Sequence, residues 1–177
     1  MRTIVRALVL VLVVAFLAGA WQARHPGPAR RPVAGRPFGT APRARARPAV
    51  AATRLVGVRA ARQDGYDQVV FTFHGGLPGW RVAYVPAVRR DGGDQVVPLR
   101  GQAFLAVVFD PAAAHDPRGA PTFPDRTITT TYPTLRQVRF AGDFEGQVAF
   151  GVGLGGRTGF RVTELTGPAR VAVDLRT

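Results

Sequence analysis

Residues 65–85 read GYDQVVFTFHGGLPGWRVAYV. Two alternating runs flank the break HGGLPG at 74–79. In the first run Val69, Phe71 and Phe73 fall on one face, and Gln68, Val70, Thr72 and His74 on the other, the period of a strand with one buried side. In the second run Trp80, Val82 and Tyr84 share a face and Arg81 takes the opposite one. Gly75 and Gly76 permit positive φ, and Leu77-Pro78-Gly79 continues the turn, so two strands reversing through a hairpin corner are expected. A His-Gly-Gly after a strand also has the form of an esterase oxyanion loop. Such a loop works only beside a nucleophile, and the chain contains no serine, cysteine or lysine. An N-terminal threonine nucleophile would need a processing signal that is not there. The stretch is therefore read as a turn, and no catalytic residue is assigned.

The same texture runs onward from Thr53, as short alternating segments separated by Gly, Pro and Asp. It predicts strands near 54–61, 67–74, 80–85, 95–99, 103–109, 126–131, 135–141, 147–154, 159–164 and 169–175. No stretch has helical periodicity. Strands at this spacing, with turn signals at Asp91-Gly92-Gly93 and Gly155-Gly156, indicate an all-β chain, an antiparallel sandwich or barrel. Val171, Val173 and Leu175 are expected to join Val69, Phe71 and Phe73 in its core.

Upstream of this region the composition changes. All 24 basic residues of the chain are arginine, and residues 1–54 hold ten of them with no acid. From residue 55 onward fourteen arginines face eleven acids, so the basic character belongs mainly to the N-terminal third. Residues 1–20, MRTIVRALVLVLVVAFLAGA, have the parts of an export signal: Arg2 and Arg6, an apolar run from Ala7 to Leu17, and a small-x-small site at Ala18-Gly19-Ala20. Cleavage is expected before Trp21. Left uncleaved, the segment would act as an N-terminal anchor. The arginines that follow it oppose translocation, since positive charge is retained on the cytoplasmic side. Leu17-Ala18-Gly19 also begins a lipobox, but Ala20 stands where the lipid-bearing cysteine would be, so the chain is not a lipoprotein. Residues 21–53 carry six prolines among arginine, alanine and glycine and are read as a disordered linker, with the folded domain at 54–177. Fully extended, that linker would reach on the order of 100 Å. Without cysteine, disulfides and thiolate metal sites are excluded.

Metal and carboxylate chemistry find little support. His25 lies in the linker, and no two histidines have the spacing of a ligand motif. His115-Asp116 could meet His74 in a metal site, but a surface loop pair is expected instead, with no metal and no cofactor. Asp143 and Glu145 are read as solvated turn residues, and Glu164 as part of the last connection. A modest binding signal comes from Trp80 and Tyr84, which could stack on sugar rings, and from Arg81, which could pair with a carboxylate. The competing reading places both rings in the core. Nucleic acid is not an expected partner, because the domain is nearly neutral once its tail is set aside.

Three blocks, GYDQVVFTFHGGLPGWRVAYV (65–85), GDFEGQVAFGVGL (142–154) and GFRVTELTGPARVAVDLR (159–176), together resemble the AMIN-like domain of actinobacterial envelope proteins and lipoproteins. The family's strand of the form Arg/Gln-Val-x-x-Asp/Thr-Leu/Phe occurs twice, at Gln68–Phe73 and Arg170–Leu175. The resemblance implies a β-sandwich of the exported cell envelope, without enzymatic activity, that binds or is positioned on peptidoglycan or associated anionic wall polymers. A protein-interaction module docking an envelope partner through a strand edge is the alternative. Seven arginines in 21–53 suggest contact with anionic polymers or a membrane surface, and hence wall affinity carried mostly by that segment and sensitive to salt.

Overall fold

The computed structural model describes residues 37–48, 53–90 and 93–177. The expected signal segment and its cleavage site, the linker residues 21–36 and 49–52, and Asp91-Gly92 lie outside the described residues.

Among the described residues eleven strands form in chain order: β1 (Arg43–Arg45), β2 (Thr53–Gln63), β3 (Tyr66–His74), β4 (Gly79–Val85), β5 (Ala103–Asp110), β6 (Ala112–Ala113), β7 (Thr127–Thr129), β8 (Leu135–Phe144), β9 (Gln147–Leu154), β10 (Phe160–Leu165) and β11 (Ala169–Arg176). They build a six-stranded sheet in the order β1-β4-β5-β9-β8-β7 and a five-stranded sheet in the order β10-β11-β3-β2-β6. All pairs are antiparallel except the short β2–β6 contact. The described residues form an all-β sandwich.

The break at 74–79 is a corner, but not of a hairpin. β3 pairs with β2 and β11, whereas β4 pairs with β1 and β5 in the other sheet. Positive φ at Gly75 (93°) and Gly76 (128°) therefore turns the chain across the sandwich rather than back along one sheet. The two sheets meet face to face through the core. Phe71 and Phe73 from one sheet pack against Phe109 at 4.9 Å between ring centres, and Phe71 also meets Phe150 at 5.0 Å. Val69, Phe71, Val171, Val173 and Leu175 are buried as the alternation requires. Sheet pairing was ambiguous because alternation fixes which side of a strand is apolar, not which sheet the strand joins.

Two further departures follow from packing. Residues 95–99 form no strand. Residues 86–90 and 93–102 lie instead on the outer face of the six-stranded sheet, closed by a bridge between Arg89 and Val96. They bury Val88 and Val97 against Ala141 and Ala149. Gly151 and Gly153 make this possible, because a Cβ at Gly151 would meet Leu99 at 2.5 Å and one at Gly153 would strike the Arg100 carbonyl. Strand β7 is shorter than the predicted 126–131.

The linker assignment also needs correction for residues 37–48. This arm crosses the open side of the sandwich and joins both sheets. Arg43, Ala44 and Arg45 pair with Val82, Arg81 and Trp80 along the edge of β4. Gly39 exchanges backbone hydrogen bonds with Phe160, on the edge of β10, at 3.1 and 2.8 Å. Gly79 and Gly159 are shaped for the arm: a Cβ at Gly79 would lie 3.0 Å from Arg47 N, and one at Gly159 3.0 Å from Phe38 Cβ. Composition alone could not reveal this, because edge pairing uses the backbone and needs no apolar periodicity.

Candidate functional site

In β4 the alternation places Trp80, Val82 and Tyr84 together, and they point inward. Trp80 is 6 % exposed and Val82 fully buried. The Trp80 indole donates to Glu164 Oε1 at 2.7 Å. Tyr84 packs edge-on against Phe160 at 5.9 Å. Its hydroxyl donates to the Thr158 carbonyl at 2.7 Å and accepts from the Thr158 N–H at 3.0 Å, while the Arg157 guanidinium sits 4.4 Å above its ring. A stacking platform needs a free ring face, and these rings are engaged with the protein. The core reading of the two aromatics is the one that fits. Of Trp80, Arg81 and Tyr84, Arg81 alone faces outward.

Glu164 is not in a connection. It is a strand residue of β10, opposite Val171 and hence on the inward row that runs to Phe71. An inward carboxylate at the open side of a sandwich must be paired. Arg47 supplies a two-pronged contact, with Nη1 and Nη2 at 3.0 and 2.9 Å, and Arg45 Nε stands at 3.8 Å. Burial alone would raise the Glu164 pKa. The hydrogen bonds from Arg47 and Trp80, with the charges of Arg47 and Arg45, outweigh it and hold the carboxyl below its ordinary value of 4.5. The cluster is a clasp between arm and sandwich, in which Arg47 and Trp80 donate to Glu164 while the Arg45 side chain stays 62 % exposed.

The outward face of the same strands is different. Register aligns Ala44, Arg81, Val108 and Ala149 across four adjacent strands, so they share the outer face of the six-stranded sheet. Ala149 is covered by Val88 and Val97, whereas Ala44, Arg81 and Val108, with Asp110 and Gln147, border a shallow groove of about 300 Å³ that Arg45, Arg47 and Trp80 also line. Its floor is small and apolar. At one end the Gln147 amide lies 3.4 Å from Asp110 Oδ2. The Arg81 guanidinium is exposed and meets no carboxylate among the described residues. A planar five-donor group beside a flat strip, with an amide and a carboxylate nearby, can hold a carboxylate-bearing peptide or sugar. Asp110 and Gln147 were not picked out from the sequence, because only the β4–β5–β9 register brings them beside Arg81.

The remaining polar residues serve structure in several ways. His74 ends β3 at the corner, exposed. His115 pairs not with His74 but with Asp143, Nδ1 to Oδ2 at 2.6 Å, and the same oxygen accepts the Ala114 N–H at 2.8 Å. Asp143 is thus more than a solvated turn residue; it ties the loop after β6 to the end of β8. Glu145 takes the tight turn with φ 49°. Asp67 is fully buried and accepts the N–H groups of Thr134 and Leu135, both at 2.8 Å, joining the two sheets. Among the described residues no group of three or more His, Cys, Asp or Glu is placed to hold a metal ion.

Compared with known proteins, residues 53–177 match one family, the AMIN-like domain. No curated protein and no solved structure matches the chain.

Proposed function

Since the chain belongs to the AMIN-like domain family, whose members are associated with the cell envelope and its peptidoglycan, we propose that it is an exported, non-enzymatic domain that holds on to the wall. The observation that carries this reading is the Arg81 groove. It offers a guanidinium with no carboxylate partner among the described residues on an open, flat surface, while Glu164 and Arg47 are committed to one another. Carboxylates of peptide stems and acidic glycans are the chemistry such a group recognises. The arginines at 24, 30, 31 and 36 add a screened attraction to the same anionic polymer.

Docking of a partner through a sheet edge is the weaker alternative. The β4 edge is already taken by β1, and the far edges end in β7 and β6, of three and two residues. Among the described residues the longer free edge is β10 (Phe160–Leu165), which the arm engages only at Phe160 and beside which Arg47 and Arg45 hold Glu164. Co-sedimentation of the full chain with purified peptidoglycan tests the proposal. Retention that falls on Arg81→Ala supports it; no retention at any salt concentration sinks it.

A further inference from the structure

A second cleft lies on the far side of the six-stranded sheet, at the end of β8 and under the loop that carries His115. It encloses about 390 Å³ and is bordered by Arg90, Arg126, His115, Asp143, Phe140 and Phe144. Nothing in the wall-binding proposal uses it.

Its charge is asymmetric. Arg90 and Arg126 find no carboxylate partner among the described residues, and the Arg126 guanidinium lies 4.7 Å over the Phe140 ring. Asp143 is the one acid of the border, and its Oδ2 is already bonded to His115 and to the Ala114 N–H. Two guanidinia against one engaged carboxylate favour an anion over a metal cation. His115 is oriented as well as present. An ionised carboxylate only accepts, so Nδ1 must be the protonated nitrogen, and a neutral ring then offers Nε2 as an acceptor for a hydroxyl. Finally, Phe144 is 52 % exposed, a large apolar ring left in water at the rim of the cleft. An aromatic face, a hydroxyl acceptor and a guanidinium pair are the three contacts an acidic sugar requires. The volume suits one residue of such a ligand rather than a length of polymer.

We propose that this cleft binds a single acidic sugar, its carboxylate on Arg126 and Arg90, a hydroxyl on His115 and its apolar face on Phe144. The choice of a sugar rests on the envelope reading above; the choice of an anion rests on the cleft itself.

The test is a titration of the full chain followed by NMR, with N-acetylmuramic acid, N-acetylglucosamine and glycerol phosphate as probes. The first two differ by the lactyl carboxylate. Binding of the acid is expected on the order of millimolar, with the neutral sugar about tenfold weaker or worse, as loss of a charge-assisted contact dictates. Arg126→Gln and His115→Ala should each weaken the acid by about tenfold, and Arg81→Ala should leave it unchanged. Unaltered unfolding midpoints verify that the variants fold, and Phe144→Ala provides a third variant at an exposed position. Equal binding of both sugars, equal or tighter binding of glycerol phosphate, or indifference to all three cleft variants overturns the assignment. If those failures occur while the chain still sediments with peptidoglycan, the cleft inference alone falls. If sedimentation fails while the acid sugar binds as expected, the cleft assignment stands and the wall-binding proposal falls.

Discussion

Arginines of the arm and arginines of the sandwich surface have the same chemistry and opposite fates. Arg47 and Arg45 come from a stretch that looks like solvated, low-complexity tail, yet they converge on Glu164 and fasten the arm to the core. Arg81 and Arg126 come from a nearly neutral domain, yet their guanidinia border clefts without an acid partner among the described residues. Net charge counts both kinds alike. What separates them is whether the fold presents an inward carboxylate for the arginine to neutralise. The expectation of a tail-borne affinity therefore has to be divided: residues 37–48 belong to the sandwich, and the arginines before them remain candidates for a salt-sensitive contact.

The largest expected effect sharpens this contrast within one strand. Trp80→Ala should destabilise the fold by about 3–5 kcal/mol, because it empties a buried site and removes a donor from Glu164. Its neighbour Arg81, replaced by alanine, should change stability by no more than about 0.5 kcal/mol. Urea unfolding of both variants checks the pair; comparable losses would mean that Arg81 is structural too.

Next comes the clasp. Arg47→Ala leaves a partly buried carboxylate with a weaker set of partners, and should cost about 1–3 kcal/mol. The figure sits below that of a fully buried pair because the two side chains remain 21 % and 19 % exposed. An arginine of a solvated tail would show no measurable change on the same substitution, and that result would return the arm to the linker.

A smaller effect is pH-dependent. The folded-state pKa of Glu164 is lowered, so its ion pair contributes fully above the ordinary value of 4.5 and is lost as pH falls through the folded value. The stability gap between the native chain and Glu164→Gln should therefore be constant near neutrality and close on acidification below about pH 4. A gap that persists unchanged to pH 3 would show that the carboxylate's charge is not what the arm is bound by.

How far the sequence anticipated this can be judged residue by residue. Alternation identified the inward faces of β3 and β11 and the opposed placement of Trp80 and Arg81, because a strand's period is fixed by its backbone. Turn chemistry located the corner after His74 but not its direction across the sandwich, which depends on sheet partners far away in the chain. The arm escaped notice because its order comes from edge pairing and one ion pair 117 residues apart in sequence. One signal was available: Phe160, Val162 and Glu164 alternate, so an acid occupied an inward position and required a cation from somewhere. Asp110 and Gln147 beside Arg81, and Asp143 beside His115, depend on register and loop closure and have no local signature.

We propose that the folded surface, and not only the basic segment before it, recognises the wall. Peptidoglycan co-sedimentation of the full chain from low salt to about 1 M, where the Debye length falls to about 3 Å, tests it most directly. A large salt-sensitive component should survive Arg81→Ala, and a smaller salt-resistant component should be removed by Arg81→Ala without a change in the unfolding midpoint. Retention that disappears entirely with salt, or a salt-resistant fraction indifferent to Arg81, would contradict it.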